Sequence, residues 1–139
     1  MILLGAANST VRRVSRLRRY APSALAAAFT TSGVIHLVRP QAFEAIMPRA
    51  IPEQHHKNLI YLSGVAELAC AAGLFRRTRW GAPASVAVLA AIFPANLQMA
   101  LDSGSGRNAG VADQPALAWG RLPLQALMIW AALQARAER

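Results

Sequence analysis

Four apolar runs, each close to the length that crosses a bilayer core, dominate the chain, and a carboxylate stands in the middle of the second. That run is Asn58 to Phe75, and the charge is Glu67, in the segment Ser63-Gly64-Val65-Ala66-Glu67. A charge at that depth costs roughly 2.5–3.5 kcal/mol even on a lenient insertion scale. Any fold of this chain must therefore compensate Glu67.

The 139 residues amount to one domain. Hydrophobic residues make up 55% and charged residues only 15%, too few charges to clothe a soluble protein, so the composition favours a membrane protein. A net charge of +9 would ordinarily raise nucleic-acid binding. The placement argues against that. Arg12, Arg13, Arg16, Arg18 and Arg19 precede the first apolar run, and Arg76, Arg77 and Arg79 separate the second from the third. Charge at the ends of spans sets topology, so the expected partner is the lipid bilayer and not nucleic acid. Cys70 is the single cysteine. It reads as a small buried hydrophobe, and no intrachain disulfide can form.

In chain order, residues 1–20 form a basic N-terminal segment and residues 21–135 a four-helix transmembrane domain, followed by a charged tail, 136–139. The basic cluster before Ala21 would suit a signal peptide. The run after it continues to Val38 without a clear small-residue cleavage site, so an uncleaved first helix is expected. The helices are expected at about 21–38, 58–75, 80–101 and 116–133. Arg39-Pro40 ends the first. Gln41 to Lys57 carries Phe43, Ile46 and Met47 at helical spacing between proline breaks, which predicts a short amphipathic segment at the interface. Trp80 reads as an interfacial anchor, and Pro94 should kink the third helix. Asp102 to Pro115 reads as a flexible Gly/Ser-rich linker. Short links make the expected fold all-α, an integral membrane antiparallel four-helix bundle. Ten of the fifteen basic residues flank one set of helix ends, so that side, with both termini, should be cytoplasmic, in the cell membrane.

With that orientation, the rise of about 1.5 Å per residue gives each polar residue a depth. Ser63 and Glu67 lie roughly 8 and 14 Å from the outer end of their helix, and Arg121 and Gln125 match them on the fourth. His36 and Asn96 are also near outer ends. Ser63 with Glu67, and Arg121 with Gln125, are spaced i, i+4 and so share a helix face. The expectation is one polar pocket in the outer half, with Glu67 paired to Arg121, whose planar fork suits a carboxylate. Glu67 and His36 are the candidate catalytic residues. Arg121, Gln125, Asn96 and Ser63 are candidate ligand contacts. The same residues have a structural reading, because polar side chains join helices in membranes at roughly 0.6 kcal/mol each.

No metal site is expected. The adjacent pair His55-His56 would diverge on a helix, and no carboxylate or cysteine completes a zinc set. An internal haem held by two histidines is not expected either, because His36 alone lies in a membrane run.

An ordered set of motifs remains: Gly33-Val34-Ile35-His36 before Arg39-Pro40 and Phe43; Tyr61-Leu62-Ser63-Gly64-Val65-Ala66-Glu67; Phe93-Pro94-Ala95-Asn96; and Arg121-Leu122-Pro123-Leu124-Gln125. Over roughly residues 25–133 this set resembles the small DoxX-like membrane proteins. The resemblance implies a four-helix membrane bundle associated with quinone-linked sulfur oxidation or with membrane-anchored redox complexes. The absence of a cysteine pair argues against thiol redox chemistry carried out alone. Three functions follow as expectations. The first is an accessory subunit of a membrane redox system, with an outward-opening pocket for a quinone or other small ligand. The second is a non-catalytic scaffold or assembly factor for a membrane protein partner. The third is a lipid- or metabolite-binding module or transporter, for which four helices leave little room.

Overall fold

Proline sets several of the helix boundaries. The computed structural model describes residues 2–108 and 110–137. Helix α1 (Ile2–Val38) stops just before Arg39-Pro40, because proline disfavours helical geometry in the residue preceding it. Pro40 opens the four-residue α2 (Gln41–Glu44), and Pro52 opens α3 (Glu53–Phe75). Helices α4 (Gly81–Asp102) and α5 (Pro115–Ala137) follow, with a 3-10 turn at Gly110–Asp113 between them.

Among the described residues, four segments are long and apolar enough to cross a membrane: Ser9–Val38, Glu53–Phe75, Gly81–Asp102 and Pro115–Ala135. At most 39% of the apolar window in any of them is buried inside the protein. Leu62, Val65, Phe75, Leu101, Leu127 and Leu133 all face outward. An outer surface this apolar belongs against lipid, and the chain reads as a multi-pass membrane protein. Helices α1 and α4 each pack on both α3 and α5, so the four long helices close into a ring.

Several boundaries differ from expectation. Helix α1 does not begin near Ala21. It takes in the basic segment, which has no Gly or Pro between Gly5 and Pro22 and stays exposed from Ser9 to Tyr20. Helix α3 starts five residues before Asn58, as soon as Pro52 allows. Helix α5 runs through Ala137, so half of the expected tail is helical backbone, while Glu138 and Arg139 lie outside the described residues. The segment after α1 has only α2 as helix. Its apolar residues do not lie free at an interface: Ile46 is buried, Phe43 and Met47 are half-buried, and all three turn in toward the bundle.

The Asp102–Pro115 stretch is also more than a linker. Asn108 is buried and its Nδ2 donates to the Met99 and Ala112 carbonyls (3.0 and 3.1 Å). The Gly106 amide donates to both Asp113 carboxylate oxygens (3.2 and 3.1 Å). Side chains thus satisfy backbone groups that no helix reaches.

Two close approaches fix the ring. Gly33 on α1 faces Gly64 on α3. A Cβ on Gly33 would stand 2.8 Å from the Gly64 carbonyl oxygen, and one on Gly64 would stand 2.8 Å from His36 Cβ. Only missing side chains let the two backbones come so near, as small residues do in membrane bundles. At the other end, Gly73 meets Gly81 and the ring of Trp80. The α3–α4 turn closes there with Thr78 N–H on the Gly73 carbonyl (2.9 Å) and Arg77 N–H on that of Leu74 (3.1 Å), a Schellman cap. Arg77 occupies its left-handed position, at φ 51°.

The interior is layered. One apolar cluster joins Leu25, Ala26 and Phe29 of α1 to Cys70, Leu74, Leu89 and Ala132. A smaller one joins Ile46 to Met99, Ala100 and Ala118. Each long helix places polar residues between these clusters: Ser32 and His36 on α1, Ser63 and Glu67 on α3, Asn96 on α4, Arg121 and Gln125 on α5.

Candidate functional site

That polar layer surrounds a cavity of about 550 Å³. Its walls include all six of the site residues expected from sequence: His36, Ser63, Glu67, Asn96, Arg121 and Gln125. The remainder is mostly apolar, with Phe29, Leu89 and Met128 from the helices and Ile46, Met47 and Ile51 from the segment after α1. A cavity of this volume, apolar with a few converging polar groups, has the character of a small-molecule site. Leu62 and Leu124 also line it, although they are 63% and 51% exposed. The cavity therefore reaches the outer apolar surface of the bundle.

Glu67 is only 2% exposed. The expected ion pair with Arg121 is not formed. Glu67 Oε2 instead lies 3.2 Å from His36 Nδ1. The ring order explains this. Helix α1 is the direct neighbour of α3, and Gly64 lets His36 settle against α3 one turn from Glu67, whereas α5 packs on α1 and α4. Arg121 reaches along α4 to Met99 Sδ, at 3.6 Å. Among the described residues no carboxylate pairs with it.

The His36 ring is held from two further sides. Its Nδ1 donates to the Ser32 carbonyl at 3.0 Å, since a carbonyl can only accept. Phe43 stacks on it, with ring centroids 3.8 Å apart and planes 24° from parallel. Because the Nδ1 proton is directed at Ser32, it is not in line with Glu67. Glu67 Oε2 takes no hydrogen bond, and neither does the buried Ser63 Oγ one turn away.

Asn96 and Gln125 are differently placed. Asn96 Nδ2 donates to Gln125 Oε1 at 3.0 Å. Gln125 Nε2 donates to the Leu89 carbonyl, on the turn of α4 that precedes Pro94. Pro94 has no N–H to give the Ala90 carbonyl, so the glutamine from the next helix bonds beside that break, at Leu89. These two residues line the cavity while joining α4 to α5.

The segment over this end is tied down by a residue that sequence reasoning passed over. Asp102 Oδ1 accepts from Arg49 Nη2 and from Arg107 Nη1 (3.1 Å), and Oδ2 accepts from Gln98 Nε2 (2.7 Å). Nothing local in the sequence connects Arg49 with Asp102. Gly33 and Gly64, by contrast, could have been read as a helix crossing, since glycine inside an apolar run permits close approach.

The adjacent histidines diverge. His56 Nε2 donates to the Ile51 carbonyl at 2.8 Å, and His55 meets Gln54 at 3.3 Å. Among the described residues no three His, Cys, Asp or Glu side chains gather into a metal-binding group.

A family model built on a domain of unknown function, DUF8561, matches residues 25–136. The chain belongs to that family. The matched range begins at the buried part of α1, holds every polar residue of the cavity and leaves out the basic extension. No curated protein and no solved structure matches the chain.

Proposed function

We propose that this protein is a DoxX-like accessory subunit of a membrane redox system, and that its cavity binds a quinone or a similar small lipid-soluble ligand. One observation carries the reading: Glu67, a buried carboxylate with Oε2 in no hydrogen bond, lines a cavity that reaches the lipid-facing surface. An ionisable group held in that state inside a membrane bundle is a functional-site signature. The apolar walls suit the ligand's body. Glu67 and His36 handle protons at its polar end, and Arg121, free of any carboxylate, holds a carbonyl or anionic oxygen. Among these groups Asn96 and Gln125 serve mainly as the joint between α4 and α5.

In the same proposal the helices run antiparallel in the cell membrane, with both termini cytoplasmic. Ten basic residues flank the α3–α4 turn side. Glu44, Glu53, Asp102 and Asp113 all belong to the cavity side, and no acidic residue accompanies Arg12–Arg19 or Arg76–Arg79. The positive-inside rule supports this orientation.

The full chain in lipid nanodiscs, titrated calorimetrically with decyl-benzoquinone and decyl-hydroquinone, tests the reading. Saturable binding of at least one, beyond partition into empty nanodiscs and weakened about tenfold or more by Arg121→Leu, is the expected result. Partition equal to that of empty nanodiscs would overturn it. The outward apolar faces and the Asn96–Gln125 joint favour a second reading, a scaffold for a partner's transmembrane helices. That reading requires partner capture to survive Glu67→Gln and Arg121→Leu together.

A further inference from the structure

The polar groups of the cavity divide into those already satisfied and those left open. His36 Nδ1 gives its hydrogen to Ser32, Asn96 Nδ2 gives to Gln125, and Gln125 Nε2 gives to Leu89. Arg121 has only its contact to Met99 Sδ, and two buried oxygens on one face of α3, Ser63 Oγ and Glu67 Oε2, take part in no hydrogen bond. An ionised carboxylate can only accept, while a serine hydroxyl can donate and accept. One ligand group meets both needs at once: a hydroxyl that donates to Glu67 and accepts from Ser63. A carbonyl or ether oxygen could take only the Ser63 proton. It would leave the buried carboxylate unpaired and set an oxygen lone pair against it.

From this we infer that the Ser63–Glu67 face of α3 is a hydroxyl-recognition subsite, so that the cavity selects a phenol or alcohol on an apolar body over its acceptor-only counterpart. The inference rests on the ligand-binding reading above. In the quinone couple it assigns the site to the hydroquinone form. A site built around a hydroxyl discriminates strongly against the analogue lacking it, because its own polar groups are then left unpaired. Gly64 contributes to the subsite: by keeping His36 close while Ser32 takes the ring proton, the α1–α3 crossing keeps the carboxylate buried without quenching it.

The test compares three probes on the full chain in nanodiscs under anaerobic conditions: decyl-hydroquinone, its dimethyl ether and decyl-benzoquinone. The hydroquinone is expected to bind about tenfold or more tightly than either of the others. Ser63→Ala and Glu67→Gln should each shrink that preference to about threefold or less, since the first removes a donor and the second replaces a charged acceptor by an amide that can itself donate. If Glu67→Gln does not fold, Ser63→Ala alone carries the test. Equal or tighter binding of the quinone or the ether would overturn the hydroxyl assignment while leaving the ligand-binding reading intact. Binding of none of the three would overturn both.

Discussion

His36 Nδ1 stands 3.2 Å from Glu67 Oε2 but gives its proton to the Ser32 carbonyl. The contact holds the carboxylate near a polar ring without supplying an aligned donor. A group arranged only for stability would be better satisfied, because a buried polar atom without a partner costs about 1–3 kcal/mol.

Replacing Glu67 should therefore make the protein more stable. Glu67→Gln replaces the buried carboxyl group by an amide with little change in volume, and a gain of about 1 kcal/mol or more is expected. Thermal unfolding of the detergent-purified chain measures it. A clear loss of stability would instead make Glu67 a structural joint.

Gln125 and Arg121 should behave oppositely. Gln125→Leu leaves Asn96 Nδ2 and the Leu89 carbonyl without their partner, with an expected loss of about 1–2 kcal/mol. Arg121→Leu breaks only a weak contact to Met99 and should leave the unfolding midpoint nearly unchanged while weakening ligand binding. Midpoints and titrations on the two variants separate joint from site.

The α1–α3 crossing predicts a contrast between two glycines. Gly64→Ala would put a Cβ 2.8 Å from His36 Cβ and 2.9 Å from the Gly33 carbonyl oxygen. Overpacking of this kind costs about 1–3 kcal/mol. Gly120, also inside a helix, has open space around its Cα, and Gly120→Ala should stabilise by roughly 0.5–1 kcal/mol. Thermal unfolding of both variants checks the opposite signs.

Asp102 fastens the segment that lines the cavity end. Arg49 and Arg107 have 59% and 62% of their side chains exposed, so each pair contributes only about 0.2–1 kcal/mol. Asp102→Asn should leave global stability almost unchanged but loosen this tie. Hydrogen exchange across residues 45–51 should accelerate, and raised salt should produce part of the same effect in the unaltered protein. Unchanged exchange would show that Phe43 and Ile46 hold the segment without the ion pairs.

Much of the architecture was legible because apolar length and proline positions act locally. The runs ending at Val38 and Phe75 end there in the structure, and the break at Pro40 falls as expected. The six polar residues were legible as one layer because i, i+4 spacing and depth follow from helix geometry alone. Their partners were not. Glu67 could be paired with Arg121 by depth and charge, but depth does not reveal which helices are neighbours around the ring, and that order gives Glu67 to His36. The Arg49–Asp102 tie was hidden for the same reason. The start of α1 was missed because hydropathy marks where a helix enters the apolar layer, not where it begins, and the arginines before Ala21 extend it.

The central claim is that Glu67 and Ser63 are left open for a ligand's hydroxyl. An experimental structure of the full chain in lipid with decyl-hydroquinone bound tests it most directly. The account predicts density in the cavity between α3 and α5, with one ligand oxygen at hydrogen-bond distance from both Glu67 and Ser63. Glu67 bonded to Arg121 across a closed cavity, with the ligand elsewhere or absent, would contradict it.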